Sequence, residues 1–500
     1  MNTSDVLLPD WLGRCAVNQP GHLAVQAGGV RWSFAELNRQ VTSIARQLAG
    51  AEVREGSRVA LLAANGLSFV AFVHAMTRLG AVLVPLNTRL TREELTWQVG
   101  DARAIMLVSD ERHAGIAAEI ERDIVGLRCV MLRAAGDEAL LCDLPEADVA
   151  LRSLIDLDMI QAIMYTSGTT GQPKGAIITY GMQWWNAIGS ALNLGHHPGD
   201  RWLACLPLFH IGGLAILMRS VVYGISVIVQ EKFDVLAVNR AIDEDGVTII
   251  SVVAVMLQRM LDARGPGRFY PAALRCVLLG GGPAPRALLE DCAGRGVPVV
   301  QTYGMTEACS QAVTLAPADA LRKPGSAGRP LLTVQLRIMR DGRQAQEGEP
   351  GEIELRGATI TPGDADRPDA TTQAFHDGWF ATGDIGYLDE EGYLYVLDRR
   401  ADLIISGGEN VYPAEVEAVL ASHPDVIEAG VCGQPDPQWG HVPVAFVHLR
   451  AGSSISAEEL MAYAAIRLAR YKLPRTIYFT GQLPRNASGK LLRRELLRCK

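Results

Sequence analysis

The sequence predicts an α/β protein: a large N-terminal domain of helix-covered, mostly parallel sheets with an antiparallel β subdomain, followed by a small α+β C-terminal domain. Three observations carry this expectation. Apolar runs of strand length alternate with segments of helical period as far as about residue 330. From there to about residue 400, short alternating strands punctuated by Gly and Pro take over. Residues 401–500 then hold strands and helices of their own.

Taken in order, Ser33 N-caps a helix from Phe34 to about Leu48, and Glu36 three residues on completes a capping box. Arg58 to Leu62 is a buried strand, Asn65-Gly66 a turn, Ser68 to Leu79 a helix and Ala81 to Leu86 the next strand. Strand–helix pairs recur from Trp202 to Ile228 and from Thr248 to Ala263. Another unit begins at Cys276 to Leu279, with Val297 to Val300 as the strand after it. Val334 to Ile338 and Glu352 to Leu355 alternate as antiparallel strands, and Tyr393 to Leu397 closes that part. The charged run from Asp398 to Asp402 marks a boundary, giving domains 1–400 (330–400 antiparallel) and 401–500. Beyond it lie Glu415 to Leu420, Glu428 to Cys432, Val444 to Leu449 and Ala457 to Ala469.

Hydrophobic residues make up 48% and charged residues 20% of the 500, enough for a sizeable core in a globular protein. A net charge of −8 argues against a nucleic-acid surface. The nine cysteines are scattered and form no C-x-x-C pair, which speaks for reduced thiols and against a disulfide framework or zinc site. The start, Met-Asn-Thr-Ser-Asp-Val, lacks the basic and apolar regions of a signal peptide. The longest apolar run, Val247 to Leu257, falls short of the ~20 residues that span a bilayer. The expectation is a cytoplasmic protein with no stable membrane insertion and an oligomeric state left open.

Residues 164–175, Met-Tyr-Thr-Ser-Gly-Thr-Thr-Gly-Gln-Pro-Lys-Gly, follow an apolar run and suit a backbone that approaches a polyphosphate. Gly168, Gly171 and Gly175 carry no Cβ. Their N–H groups and the hydroxyls of Thr166, Ser167, Thr169 and Thr170 can donate to phosphate oxygens, and Lys174 adds a point charge. The Walker pattern is absent. Gly280, Gly281 and Gly282 at a strand's C-terminal edge let a planar ring lie against bare backbone. In Tyr303-Gly304-Met305-Thr306-Glu307, after the next strand, the Tyr ring can stack on a base and Thr306 can bond a phosphate oxygen. Glu307 is a hard oxygen ligand suited to Mg²⁺. Asp384, just after Gly383, can accept two ribose hydroxyls, and Arg399 can add a further contact. Gly407-Gly408 can admit a pantetheine arm, and Lys490 can present a compact charge from a Gly-adjacent loop. On residue types alone, each of these also reads as an ordinary turn or a solvated charge.

Together the five motifs resemble those of the acyl-adenylate-forming enzymes: acyl- and aryl-CoA synthetases, luciferases and peptide-synthetase adenylation domains. The resemblance covers essentially the whole chain. It implies ATP, Mg²⁺ and coenzyme A as cofactor and co-substrates, a small-molecule carboxylate as partner, and a mobile C-terminal domain. It also implies that Lys490 bridges the carboxylate and the α-phosphate. Within the family, Ile163 to Thr166, Leu206 to Ile211, Leu278 to Pro285, Tyr303 to Gln311, Asp398 to Pro413 and Leu483 to Ser488 look most like the o-succinylbenzoate–CoA ligases of menaquinone biosynthesis. Another aryl- or medium-chain acyl-CoA ligase is the alternative, and a non-catalytic nucleotide-binding relative a more remote one. Phe209-His210 lacks the Asp that amino-acid-activating domains use for the substrate amine. A substrate with a second, free carboxylate needs a cationic or hydrogen-bonding partner when buried. His210 and Arg219 are the candidates, with His210 alternatively an aromatic gate over the acyl group. Pro362 to Pro368 departs from the family's usual Gly-Tyr-x-x-x-Pro-like segment.

Overall fold

The computed structural model describes residues 7–135, 138–167, 173–281, 284, 286–398, 403–450, 452–484 and 493–499. The chain forms two compact units, residues 1–88, 99–164 and 175–397 in one and 89–98, 165–174 and 398–500 in the other.

In the first unit, the helix Phe34–Gly50 starts where its cap predicts: the Ser33 hydroxyl accepts from the Glu36 amide and the Ser33 amide donates to the Glu36 carboxylate at 2.8 Å. These bonds, the backbone one foremost, hold the Glu36 carboxyl below its ordinary range. The buried strands Arg58–Leu62 and Val82–Pro85 run parallel, and Met106–Ser109 pairs with Arg58–Leu62 on its other side. They sit in a seven-stranded sheet that ends in the antiparallel strand Glu138–Leu141. Gly66 caps the helix Leu67–Leu79, whose Phe69 and Phe72 are fully buried. Burying each such side chain contributes about 1.5–3 kcal/mol.

A nine-stranded sheet carries the second run of βα units. Its parallel core is Leu23–Ala27, Ser226–Val229, Arg201–Ala204, Ile249–Val253, Cys276–Gly280 and Val299–Met305 in spatial order. Continuous apolar runs suit this, because helices cover both faces of a parallel sheet. The strand expected to stop near Val300 runs on to Met305 and turns back as Ser310–Leu315, antiparallel to it. Tyr303 and Gly304 therefore lie within a strand, where an unstructured turn was expected. The reason is that the antiparallel return supplies their backbone hydrogen-bond partners. Residues 330–400 form the expected antiparallel sheet around Val334–Arg340, Gly351–Gly357 and the ten-residue strand Trp379–Leu388.

The departing segment Pro362 to Pro368 has its own anchorage. Gly363 O accepts from the Ile177 amide, Ala365 N donates to Gly175 O, and Asp366 pairs with Arg58 at 2.7 Å. Arg367 also pairs with Asp101.

The second unit has a sheet ordered Glu409–Val411, Ile404–Ser406, Gly440–Leu449, Val426–Asp436, with Ile477–Phe479 parallel to Gly440–Leu449. Helices Pro413–Ala421 and Ala457–Ala465 supply apolar faces to its core. Gly407 and Gly408 form a two-residue hairpin turn with φ of +58° and +86°, the backbone that favours glycine. A Cβ on Gly407 would stand 2.5 Å from the Trp439 ring. Lys472, 5% exposed, is held by Glu415 at 2.7 Å and Glu94 at 2.8 Å. Arg89 pairs with the buried Glu409 at 2.6 Å, and Arg493 with Glu417 at 2.6 Å.

Two stability outcomes follow. Ser33→Ala removes one half of the capping box and lowers stability by about 1 kcal/mol at neutral pH. That contribution is present above the ordinary carboxyl range and fades as acid protonates Glu36 through its lowered pKa. Urea unfolding at pH 7 and pH 3 checks both. Lys472→Met leaves Glu415 buried without its cation and costs about 3–5 kcal/mol. It is read as a larger drop in urea midpoint than Ser33→Ala gives.

Candidate active site

The C-terminal edges of the parallel strands gather the first group of residues. Val253 and Gly280 are register partners, and Leu279 pairs with Gln301 one strand further on. Such an edge of an open α/β sheet is where ligands bind. Gly281 takes φ +85°, and a Cβ there would come 2.9 Å from the Val253 side chain. Bare backbone at Gly280 and Gly281 therefore keeps this ledge flat.

The hairpin that follows is tight. A Cβ on Gly304 would lie 1.6 Å from the Ser310 carbonyl oxygen. Cys309 and Ser310 both take positive φ, +55° and +94°, conformations that cost free energy in non-glycine residues and cluster at functional sites. They close the turn over the short helical segment Thr306–Ala308, where Glu307 is 8% exposed. The Tyr303 hydroxyl, itself buried, donates to Asp384 at 2.7 Å. This bond joins the last parallel strand to the antiparallel strand Trp379–Leu388. Gly383 takes φ +74°, and the Asp384 amide donates to the Thr382 hydroxyl at 3.1 Å. Tyr303, Thr306, Glu307 and Asp384 are thus built on one connected frame.

Three polar residues that sequence reasoning missed hold that frame. Thr361, 3% exposed, donates its amide to Glu307 O at 2.7 Å and its hydroxyl to Ile177 O at 2.7 Å, tying the acid's backbone to the strand Pro173–Thr179. Asn65 donates to Leu206 O and accepts from the Leu208 amide, stapling the segment that leads to His210. His210 N-caps the helix Ile211–Tyr223, half-buried, with the Phe209 ring edge-on at 4.7 Å. Asn186, on the helix Tyr180–Leu194, accepts from Arg219 at 2.5 Å and donates to Gln311 O at 2.9 Å. A signal for Asn186 was present in the sequence: Gln183, Asn186 and Ser190 share one face at helical spacing.

Arg219 is 2% exposed, its guanidinium 5.3 Å from the Trp202 ring centroid. Burial presses its pKa down, though a guanidinium stays charged. Among the described residues it makes no ion pair with an acid. Fully buried Cys309 lies in its field, and burial pushes that thiol up to about 12.

Thr166, Lys174, Gly407 and Gly408 belong to the second unit, and the Tyr165 ring there meets Trp97 edge-on at 5.8 Å. Ser167 ends the strand Ile160–Ser167. Gly168, Thr169, Thr170, Gly171, Gly282, Arg399, Lys490 and the boundary at residues 400–402 lie outside the described residues. Among those described, no three His, Cys, Asp or Glu side chains gather as a metal cage. A Mg²⁺ ion carried on phosphates needs only one or two carboxylates, and Glu307 is a donor of that kind.

Comparison with known proteins accords with this arrangement. The AMP-binding enzyme family matches residues 12–363, and the AMP-binding enzyme C-terminal domain matches residues 415–490. A 2-succinylbenzoate–CoA ligase of Geobacillus kaustophilus is 53% identical over 491 residues, 98% of each chain. The fold is similar to a double mutant of the Bacillus subtilis o-succinylbenzoate CoA synthetase bound with its product analogue OSB-NCoA, with TM-score 0.91, 44% identity and 98% of each chain covered. The same Bacillus subtilis enzyme in complex with ATP and magnesium ion gives TM-score 0.74 at 42% identity, covering 98% of this chain and 100% of that one. The chain belongs to the AMP-binding enzyme family, the acyl-adenylate-forming ligases.

Proposed function

We propose that this protein is an AMP-forming o-succinylbenzoate–CoA ligase, acting where the resemblance puts it, in menaquinone biosynthesis. The observation that carries the reading is near-full-length kinship at 53% identity with a 2-succinylbenzoate–CoA ligase. A buried arginine with no acid of its own agrees with a substrate that brings two carboxylates.

In the first half-reaction the succinyl carboxylate attacks the α-phosphate of ATP and pyrophosphate leaves. Thr166 to Lys174 hold the leaving phosphates through backbone N–H groups, hydroxyls and one ammonium. Lys490 stabilises charge growing on the α-phosphate, an electrostatic role that costs no reorganisation when preset. Tyr303 lies beside the base, Gly280 to Gly282 give it a flat ledge, and Asp384 and Arg399 take the ribose hydroxyls. Thr306 bonds a phosphate oxygen. Glu307 would hold Mg²⁺, which neutralises phosphate charge when bound. In the second half-reaction the CoA thiol attacks the acyl-adenylate and AMP leaves, with Gly407-Gly408 beside the pantetheine arm. The proposed functional division is 1–400 and 401–500, the smaller part turning about Ala401 between the two steps. No helix among the described residues is long and apolar enough to cross a membrane, which is consistent with the proposed cytoplasmic setting. Arg219 takes the free ring carboxylate, and His210 gates the acyl pocket. An aryl- or medium-chain acyl-CoA ligase is the competing reading, separated by AMP formation across a carboxylate panel.

Two measurements test the roles. Lys490→Ala lowers pyrophosphate release with o-succinylbenzoate by at least about 100-fold, and near-normal adenylation removes the role given to the lysine. Arg219→Gln lowers kcat/KM for o-succinylbenzoate by about tenfold or more relative to 3-benzoylpropionate, which lacks the ring carboxylate. An unchanged ratio removes Arg219 from the substrate.

A further inference from the structure

The helix Tyr180–Leu194 turns a polar stripe inward. Gln183, Asn186 and Ser190 are each no more than 2% exposed. Buried polar groups normally find partners, and Gln183 does so, donating to Gln161 at 3.1 Å. Asn186 is different, because its two ends are assigned by what they meet. Gln311 O can only accept, so the Asn186 Nδ2 must face it, at 2.9 Å. The Oδ1 is thereby left for Arg219 Nη2, at 2.5 Å. The amide cannot be reversed without setting two donors against each other. Arg219 thus receives a neutral oxygen at a position where the isosteric Asp would supply a charge. Around it, Arg219 Nε, Ser190 Oγ and both polar atoms of the Gln311 side chain are buried with no partner. Gln311 in turn sits directly across the hairpin from Gly304, next to Tyr303.

A buried cation without an anion is costly, and a neighbouring acid is the ordinary remedy. Here one atom separates the residue present from that remedy. We infer that Asn186 is a specificity-determining positioning residue: it aims Arg219 while withholding a counter-charge, which reserves the guanidinium for a carboxylate of the substrate. The inference rests on the reading of Arg219 given above.

The test compares Asn186→Asp and Asn186→Ala with the parent enzyme, using o-succinylbenzoate and 3-benzoylpropionate. Asn186→Asp supplies an internal ion pair. Its thermal midpoint without substrates rises, while the ratio of kcat/KM for the two acids falls by about tenfold or more, carried by KM for o-succinylbenzoate. Asn186→Ala leaves the cation unaimed but unneutralised, so its ratio falls less and its midpoint drops. An equal fall in the two variants overturns the withheld charge as the cause, and a lowered midpoint in Asn186→Asp overturns the internal pairing. If Asn186→Asp keeps the parent ratio while Arg219→Gln loses it, the inference about Asn186 fails and the Arg219 reading stands. If neither moves the ratio, the Arg219 reading itself fails.

Discussion

The buried hydrogen bond from Tyr303 to Asp384, 2.7 Å long, is the join on which the proposed site depends. A phenol held by a carboxylate cannot swing, so its ring plane is set before any ligand arrives. Bonds to charged acceptors of this kind contribute about 1.5–3 kcal/mol. The bond also fixes which residue of the antiparallel sheet stands opposite the last parallel strand. Everything immediately downstream inherits that placement. Gly304 must be bare because Ser310 O closes over it, Glu307 rides on the turn so formed, and Thr361 pins its backbone to the strand Pro173–Thr179. A small preset frame of this sort serves a reaction in which the protein mainly positions phosphates and stabilises charge.

Two buried cations in this chain meet opposite fates. Lys472 is surrounded by two acids, Glu415 and Glu94. A buried ammonium so paired can hold segments together, because losing any member strands the others. Arg219 has a neutral amide and an aromatic face instead. The contrast separates a cation that completes the protein from one left to be completed. Sequence position does not reveal the difference, since both residues sit within apolar or mixed runs and only their neighbours in space distinguish them.

Much of the architecture was legible because it rests on short-range rules. The capping box at Ser33 and Glu36, the alternation of strand and helix, and the change of texture near residue 330 all depend on neighbours a few positions away. Tyr303, Glu307 and Asp384 were legible because unusual residue types follow strands in a recognisable order. The strand extension to Met305 was not, because it depends on pairing with Ser310–Leu315. Nor were Asn65, Asn186 and Thr361, whose partners lie 143, 125 and 184 residues away. A lone Asn or Thr gives no local clue that a distant carbonyl awaits it. The inward polar stripe on the helix Tyr180–Leu194 was the one trace left in the sequence.

The burial of the thiols has a chemical consequence. An acyl-adenylate is a strong electrophile meant for one sulfur nucleophile, yet Cys309 stands two residues beyond Glu307, with Cys205 and Cys276 in strands or strand ends of the same sheet region. All three are buried, and burial pushes each thiol up to about 12. At pH 7 a thiol with such a pKa is ionised in only about one molecule in 100,000, and the thiolate is the attacking form. The protein thus guards against acylating itself by keeping its own sulfurs dry and protonated, leaving the reactive mixed anhydride to a thiol that arrives from solution.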